Sequence, residues 1–220
     1  MTNANDANTT RAAALDTATL SDALDRLGVN GQCHGIKPRA PAFRMAGRAF
    51  TVQYGPAASP PGTVGDYIDE VEPGSIIVLD NAGREDATVW GDILTEIAHR
   101  RGIAGTAIDG INRDTALCLE LGYPVFSRGQ WMRTGKDRVQ VESMQTPVNI
   151  GHARICPGDI VKGDADGIVV IPLAHEEAIL LAAEEISRTE EHIREAVRGG
   201  MRLAEARRAF RYHQLQSRQT

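Results

Sequence analysis

Residues 75–114 read SIIVLDNAGREDATVWGDILTEIAHRRGIAGTAIDGINRD, and they set the architecture. SIIVLDN is a short apolar run ending in Asp80 and Asn81, as a buried strand does. GDILTEIAHRRG spaces Ile93, Leu94, Ile97 and Ala98 along one helical face and stops at Gly102. IAGTAIDG is a second buried strand. Two strands joined through a helix are expected to be parallel. Their carboxyl ends then share one side of the sheet, where ligand sites of open α/β sheets form.

Outward from this unit, TALCLELG reads as a helix and YPVFSRG as a third strand. Upstream, TATLSDALDRLG is an amphipathic helix with Thr and Ser as cap candidates and Gly28 as its stop. RMAGRAFTVQYG alternates and reads as a strand, and YIDEVEPG as a helical turn. Downstream, VQVESMQTPVNIG and ARICPGDIVKGDADGIVVIP form Gly-punctuated β segments, before a long charged helix from LAHEEAILL onward. The fold class is therefore α/β. Residues 1–16 are expected to be a loose polar leader and 201–220 a basic extension carrying Arg202, Arg207, Arg208, Arg211 and Arg218 on a solvated face.

Composition bounds the function. With 220 residues, 42% hydrophobic and 24% charged, the chain can bury a core without staples. A net charge of −5 argues against a general nucleic-acid binder. Cys33, Cys118 and Cys156 are far apart and make no CxxC pair, so each reads as a small buried hydrophobe in a reducing compartment. The start lacks a signal-peptide pattern and no apolar run reaches membrane-spanning length, so a cytoplasmic protein is expected. No glycine-rich S-adenosylmethionine loop follows the first strand.

Three polar groups converge at the shared strand edge. Asp92 follows Gly91 in the first turn of the helix, and Arg113 and Asp114 follow the second strand. Carboxylates with room for water suit Mg²⁺. A helix start offers free N–H groups, here near Ile93 and Leu94, for a substrate carboxylate. An adjacent arginine stabilises a developing oxyanion. The plainer reading is a first-turn acid beside a loop ion pair.

The run VWGDILTEIAHRRGIAGTAIDGINRDTALCLELGYPVFSRG, with PVNIG and PGDIVKGDADGIVVIP, resembles the RraA-like family over roughly residues 17–200. That family includes 4-hydroxy-4-methyl-2-oxoglutarate/4-carboxy-4-hydroxy-2-oxoadipate aldolases and regulators of ribonuclease E. Its aldolase branch carries Asp, twenty residues, then Arg-Asp, which Asp92, Arg113 and Asp114 match without a gap. The resemblance implies an α/β/β/α sandwich like the phosphohistidine swivelling domains, with N- and C-terminal helices, assembled as a homotrimer or homohexamer. It implies that Asp114 binds Mg²⁺ or Mn²⁺, that Asp92 holds metal-bound waters, that Arg113 contacts the keto oxygen and that the Gly91 to Leu94 amides take the carboxylate. Glu190, or Glu191 beside it, would come from a neighbouring subunit. The activity implied is cleavage of a 4-hydroxy-2-oxo acid to pyruvate, with oxaloacetate decarboxylation beside it. The alternatives are a regulator that binds a ribonuclease, and a lyase or hydratase of a sugar-derived 2-oxo acid.

Other polar residues have plainer readings. Lys37 would make a metal-free Schiff-base aldolase only in an apolar pocket. His34 reads as a loop hydrogen-bonder, His99 as a helix-end cation and GDADGIVV as a β-turn. Trp131, Met132 and Arg133 are candidates for shaping substrate access, and Asp66 and Asp69 for approaching the site.

Overall fold

Alternation of apolar side chains along each strand builds the layers. A computed structural model of the chain describes residues 6–212. In chain order the helices are α1 (Ala7–Ala14), α2 (Thr17–Leu27), α3 (Asp92–Arg100), α4 (Thr115–Leu121), α5 (Glu176–Arg198) and α6 (Leu203–Ala209). The strands are β1 (Lys37–Pro38), β2 (Met45–Pro56), β3 (Ile76–Arg84), β4 (Gly105–Asn112), β5 (Val125–Gln130), β6 (Val139–Met144), β7 (Val148–Ile150), β8 (Ala153–Ile155), β9 (Ile160–Asp164) and β10 (Gly167–Ile171).

The strands pair in the order β1-β5-β4-β3-β2-β9-β10, with β6 also on β2 and with β7-β8 as a separate pair. β2, β3, β4 and β5 run parallel, as the helix-linked apolar runs require. β2 is shared. Its first residues, Met45–Arg48, pair with β9, and the rest pairs with β3 and β6. Ile77 and Leu79 of β3 enter a core with α3 and α4, while Ile76 and Val78 face the opposite way. That second core meets Ile168 and Val170 of β10. Val169 and Ile171 face α2 and α5 instead. Helices, sheet, sheet, helices is the α/β/β/α sandwich expected. Each buried Ile or Leu in these seams contributes about 1.5–3 kcal/mol.

Of the loose leader expected over residues 1–16, residues 1–5 lie outside the described residues, and residues 6–16 are folded. Asp6 caps α1, and Ala12 and Leu15 enter the core beside α2 and α5. Arg11 pairs with Glu184 at 2.6 Å and Glu177 at 2.7 Å, and the buried Lys162 donates to the Ala13 carbonyl. Asp16, rather than Thr17 or a Ser, caps α2, because the Thr17 hydroxyl donates to Asp164 at 2.6 Å. The GDADG stretch is the β9–β10 turn, as expected. The carboxyl-terminal segment folds back as α6 with Ala206 buried, and its arginines at 202, 208 and 211 stay exposed. Arg218 lies outside the described residues. No helix among the described residues is long and apolar enough to cross a membrane.

Candidate active site

The loops after β3 and β4 are locked to one another before any side chain acts. The Arg113 N–H donates to the Trp90 carbonyl at 3.0 Å, which fixes the two strand ends in register. Below them, Thr95 is fully buried; its hydroxyl donates to the Gly91 carbonyl and accepts from Trp90 Nε1, both at 2.9 Å. Cys118 of α4 lies 3.4 Å from the same hydroxyl, and burial raises its thiol above the usual range. Asn112 is also buried. It donates to Thr115 Oγ1 at 3.0 Å and accepts from Ser127 Oγ at 2.8 Å, anchoring the turn into α4.

On this base Asp92, Arg113 and Asp114 come together. Asp114 adopts a left-handed conformation, φ 55°, which a non-glycine residue holds at a cost and which clusters at working sites. Its side chain does not cap α4. Instead Asp114 Oδ2 accepts from the Asp92 N–H at 3.2 Å and pairs with Arg113 Nε at 3.1 Å. Gly91 makes room: a Cβ there would lie 2.8 Å from Asp114 Oδ2. The Ile93 N–H donates to Asp92 Oδ1 at 2.8 Å, so two of the amides expected for a substrate carboxylate already have acceptors within the site.

A cleft of about 420 Å³ is lined by Gly91, Asp92 and Arg113 but not by Asp114. Its floor is Trp90, Leu94, Ile97 and Ile68, and its rim carries Asp66, Asp69, Arg113, Thr134 and Lys136. The rim is anchored. Tyr54 donates to the Val64 carbonyl at 2.6 Å, Val141 N–H to the Thr63 carbonyl at 2.9 Å and Thr88 N–H to the Arg133 carbonyl at 3.1 Å. Arg113 also borders a second hollow of about 240 Å³, with Asp114, Gln130, Trp131 and Met132. Trp131 and Met132 are exposed there.

The structure thus brings together Gly91, Asp92, Ile93, Leu94, Arg113 and Asp114. It places Glu190 apart, on α5, in a hollow with Arg194, Leu203, Arg207 and Tyr212. Glu190 is 3.4 Å from Arg194, whereas Glu191 is held at 2.9 Å by both Arg194 and Arg198. Lys37 donates to the Asp166 carbonyl, away from the cleft. His34 stacks on His152, and His99 lies in the last turn of α3. Cys33 and Cys118 are buried, as expected, but Cys156 is only partly so. The pattern of Asp92, Arg113 and Asp114 was legible in sequence. Sequence reasoning does not reach Thr95 or Ser127, and Asn112 carries only the signal of a polar residue ending a buried strand.

Among the described residues no group of three or more His, Cys, Asp or Glu forms a metal cage. Mg²⁺ does not need one, since it keeps several waters and binds through one or two carboxylates. Asp114, partly exposed and with Asp92 beside it, fits that sparse donor set.

Residues 17–170 match the model of the RraA-like family, described as Aldolase/RraA. The chain belongs to the RraA-like family. The matched residues hold the whole Asp92–Arg113–Asp114 set and stop before Glu190. This RraA-like chain is 39% identical over 203 residues to protein DlpA of Legionella pneumophila, spanning 90% of the chain but only 33% of that longer protein. It is 35% identical to a "Putative 4-hydroxy-4-methyl-2-oxoglutarate aldolase" of Halalkalibacterium halodurans, over 77% of the chain and 79% of the relative. Among solved structures, an uncharacterised protein from Pseudomonas syringae superposes with TM-score 0.85 at 44% identity, covering 91% of this chain and 96% of that one. Streptomyces coelicolor RraAS2, called an unusual member of the RNase ES inhibitor RraA family, superposes with TM-score 0.78 at 28% identity, covering 86% and 96%.

Proposed function

We propose that the chain is a divalent-metal-dependent lyase that cleaves a 4-hydroxy-2-oxo acid to pyruvate. The observation that carries this is the Asp92–Arg113–Asp114 set, held together between two hollows that share Arg113, with a glycine that leaves room for the Asp114 carboxylate. Asp114 is the residue to ligate Mg²⁺ or Mn²⁺ directly, and Asp92 to hold its waters. The ion supplies Lewis acidity at the keto oxygen. Arg113 faces that oxygen and takes up its growing negative charge. The amides of the first turn of α3, with their positive dipole end, hold the substrate carboxylate once it displaces the Asp92 side chain from the Ile93 N–H. A water held beside Asp92 removes the proton of the 4-hydroxyl. The C3–C4 bond breaks, C4 becomes a carbonyl, and the electron pair enters a pyruvate enolate beside Arg113. A proton delivered to C3 releases pyruvate. The same enolate follows loss of CO₂ from oxaloacetate. Glu190 of a second copy would complete the site in a homotrimer or homohexamer; of the two neighbouring acids it is less tightly paired.

The test is pyruvate release from 4-hydroxy-4-methyl-2-oxoglutarate and from oxaloacetate with Mg²⁺, alongside EDTA, Asp114→Ala and a Mn²⁺ titration read by electron paramagnetic resonance. Metal-dependent release, lost with Mn²⁺ binding in Asp114→Ala, is expected. Release that survives EDTA, or Mn²⁺ binding unchanged in the variant, overturns the assignment. A second reading, ribonuclease binding, rests on the likeness to RraAS2. It has no need of a complete metal and arginine set.

A further inference from the structure

Asp114 opens α4 without behaving as a helix cap. A capping residue ordinarily keeps extended backbone and spends its own side chain on the N–H groups of the first turn. Asp114 is left-handed instead, φ 55° and ψ 38°, and its carboxylate is turned to the Asp92 N–H and to Arg113. Left to itself, an L-residue disfavours that conformation by about fivefold or more. Some other group therefore holds it.

That group is the Asn112 amide. Asn112 is fully buried, and its backbone is tied in place by the Trp131 N–H, 3.0 Å from its carbonyl. The side chain straddles Asp114. Its two N–H groups go to the Arg113 carbonyl at 3.3 Å and to Thr115 Oγ1 at 3.0 Å, on the residues before and after. Only an N–H can face a carbonyl, so Nδ2 is this end of the amide, and Oδ1 is left to accept from the Ser127 hydroxyl at 2.8 Å. Ser127, on β5, is itself fully buried. One amide thus sets the peptide plane before Asp114 and the residue after it, and the φ and ψ between them lose their freedom.

Resting on the metal reading above, we infer that Asn112 is the positioning residue of the metal ligand. It keeps Asp114 left-handed, with its carboxylate at the Asp92 N–H, before any ion arrives. Asn112 lines neither hollow, so it acts through Asp114 and not on metal or substrate. An ion that binds one conformer meets only the fraction of chains in that conformer, and apparent affinity falls with that fraction.

The experiment measures Mn²⁺ affinity of the full chain by electron paramagnetic resonance, and amide exchange of the metal-free chain by NMR. Asn112→Leu removes both donors at nearly equal volume, but its buried place puts the fold at risk. Thr115→Val, at a half-buried residue, removes one acceptor alone, and Thr115→Ser keeps it. Mn²⁺ binding is expected to weaken about fivefold in Thr115→Val and to stay within about twofold of wild type in Thr115→Ser. The Leu117 amide, which donates to the Asp114 carbonyl at 3.2 Å, should exchange faster in Thr115→Val. Where Asn112→Leu folds, adding Thr115→Val to it should weaken binding no further, because both act through one bond. Unchanged affinity in Thr115→Val, an equal loss in Thr115→Ser, or full additivity in the double variant overturns the inference and leaves the metal reading standing. A wild-type chain that binds no Mn²⁺ removes both.

Discussion

Gly91→Ala separates the geometry of the site from the stability of the fold. Gly91 is in extended backbone, φ −148° and ψ −167°, which alanine adopts without strain. The cost falls on the neighbours. The new methyl would stand 2.8 Å from Asp114 Oδ2 and 3.2 Å from Arg113 Nε. Contacts of about 3.5 Å are the close limit, so the carboxylate has to withdraw by roughly 0.7 Å. That movement breaks the Asp92 N–H bond, already 3.2 Å long, and turns Asp114 away from Arg113. Alanine is a poorer helix cap than glycine, so the fold loses about 1 kcal/mol, or roughly 2–4 °C in Tm. A misplacement near 1 Å costs catalysis up to about a hundredfold. We expect pyruvate release to fall by roughly 30- to 100-fold, mostly in kcat, while calorimetry shows the small Tm change. Turnover within about threefold of wild type would refute the close-approach argument. So would a collapse in Tm, which would mean that Gly91 serves the fold instead.

Other perturbations reach the supports. Tyr54→Phe leaves the half-buried Val64 carbonyl without its 2.6 Å donor, so about 1 kcal/mol should be lost in urea unfolding and KM should rise as the cleft rim loosens; an unchanged KM would show that the rim is held without Tyr54. Asp164 is pushed up by burial, but hydrogen bonds from Thr17 and Asp166 outweigh this and hold its pKa below 3.8. A depressed carboxylate stabilises above its unfolded pKa and loses that contribution as pH falls through the folded one. Asp164→Asn should therefore cost about 1–2 kcal/mol at pH 7 and progressively less below pH 3.8, measured by denaturation at each pH; an equal cost at pH 2 would contradict this. Arg11→Ala removes two partly exposed ion pairs to α5, so about 1 kcal/mol should be lost, appearing as faster amide exchange across α1; unaltered exchange there would mean that Ala12 and Leu15 alone dock the helix.

The middle of the fold was legible because its signals are local. Apolar runs at 75–81 and 103–110 with an amphipathic helix between them imply a parallel pair, and the pair brings residues twenty apart to one edge. What the sequence hides is partner choice at long range. α1 has few apolar residues, and Glu177, Glu184 and Lys162, which hold it, lie far along the chain. Thr17 passes for a cap until Asp164 is known to stand beside it. The left-handed turn of Asp114 is equally invisible, because nothing in INRDTAL demands it. The rim residues Asp66 and Lys136 come from segments separated by most of the sheet, and only the folded loops put them across one cleft.

The shared strand has a consequence for the chain as it leaves the ribosome. Met45–Pro56 is the seam of both sheets, yet none of its partners precedes it. β3 covers one edge early. The other stays bare until Val139–Met144 and then Ile160–Asp164 have been made. AFTVQY, rich in β-formers, is thus an open template for much of synthesis. A nascent chain stalled after β5 would carry the complete Asp92–Arg113–Asp114 set and still be the species most prone to stick to its neighbours on a polysome. For this protein the order of synthesis itself sets a window in which that edge has nothing of its own chain to pair with.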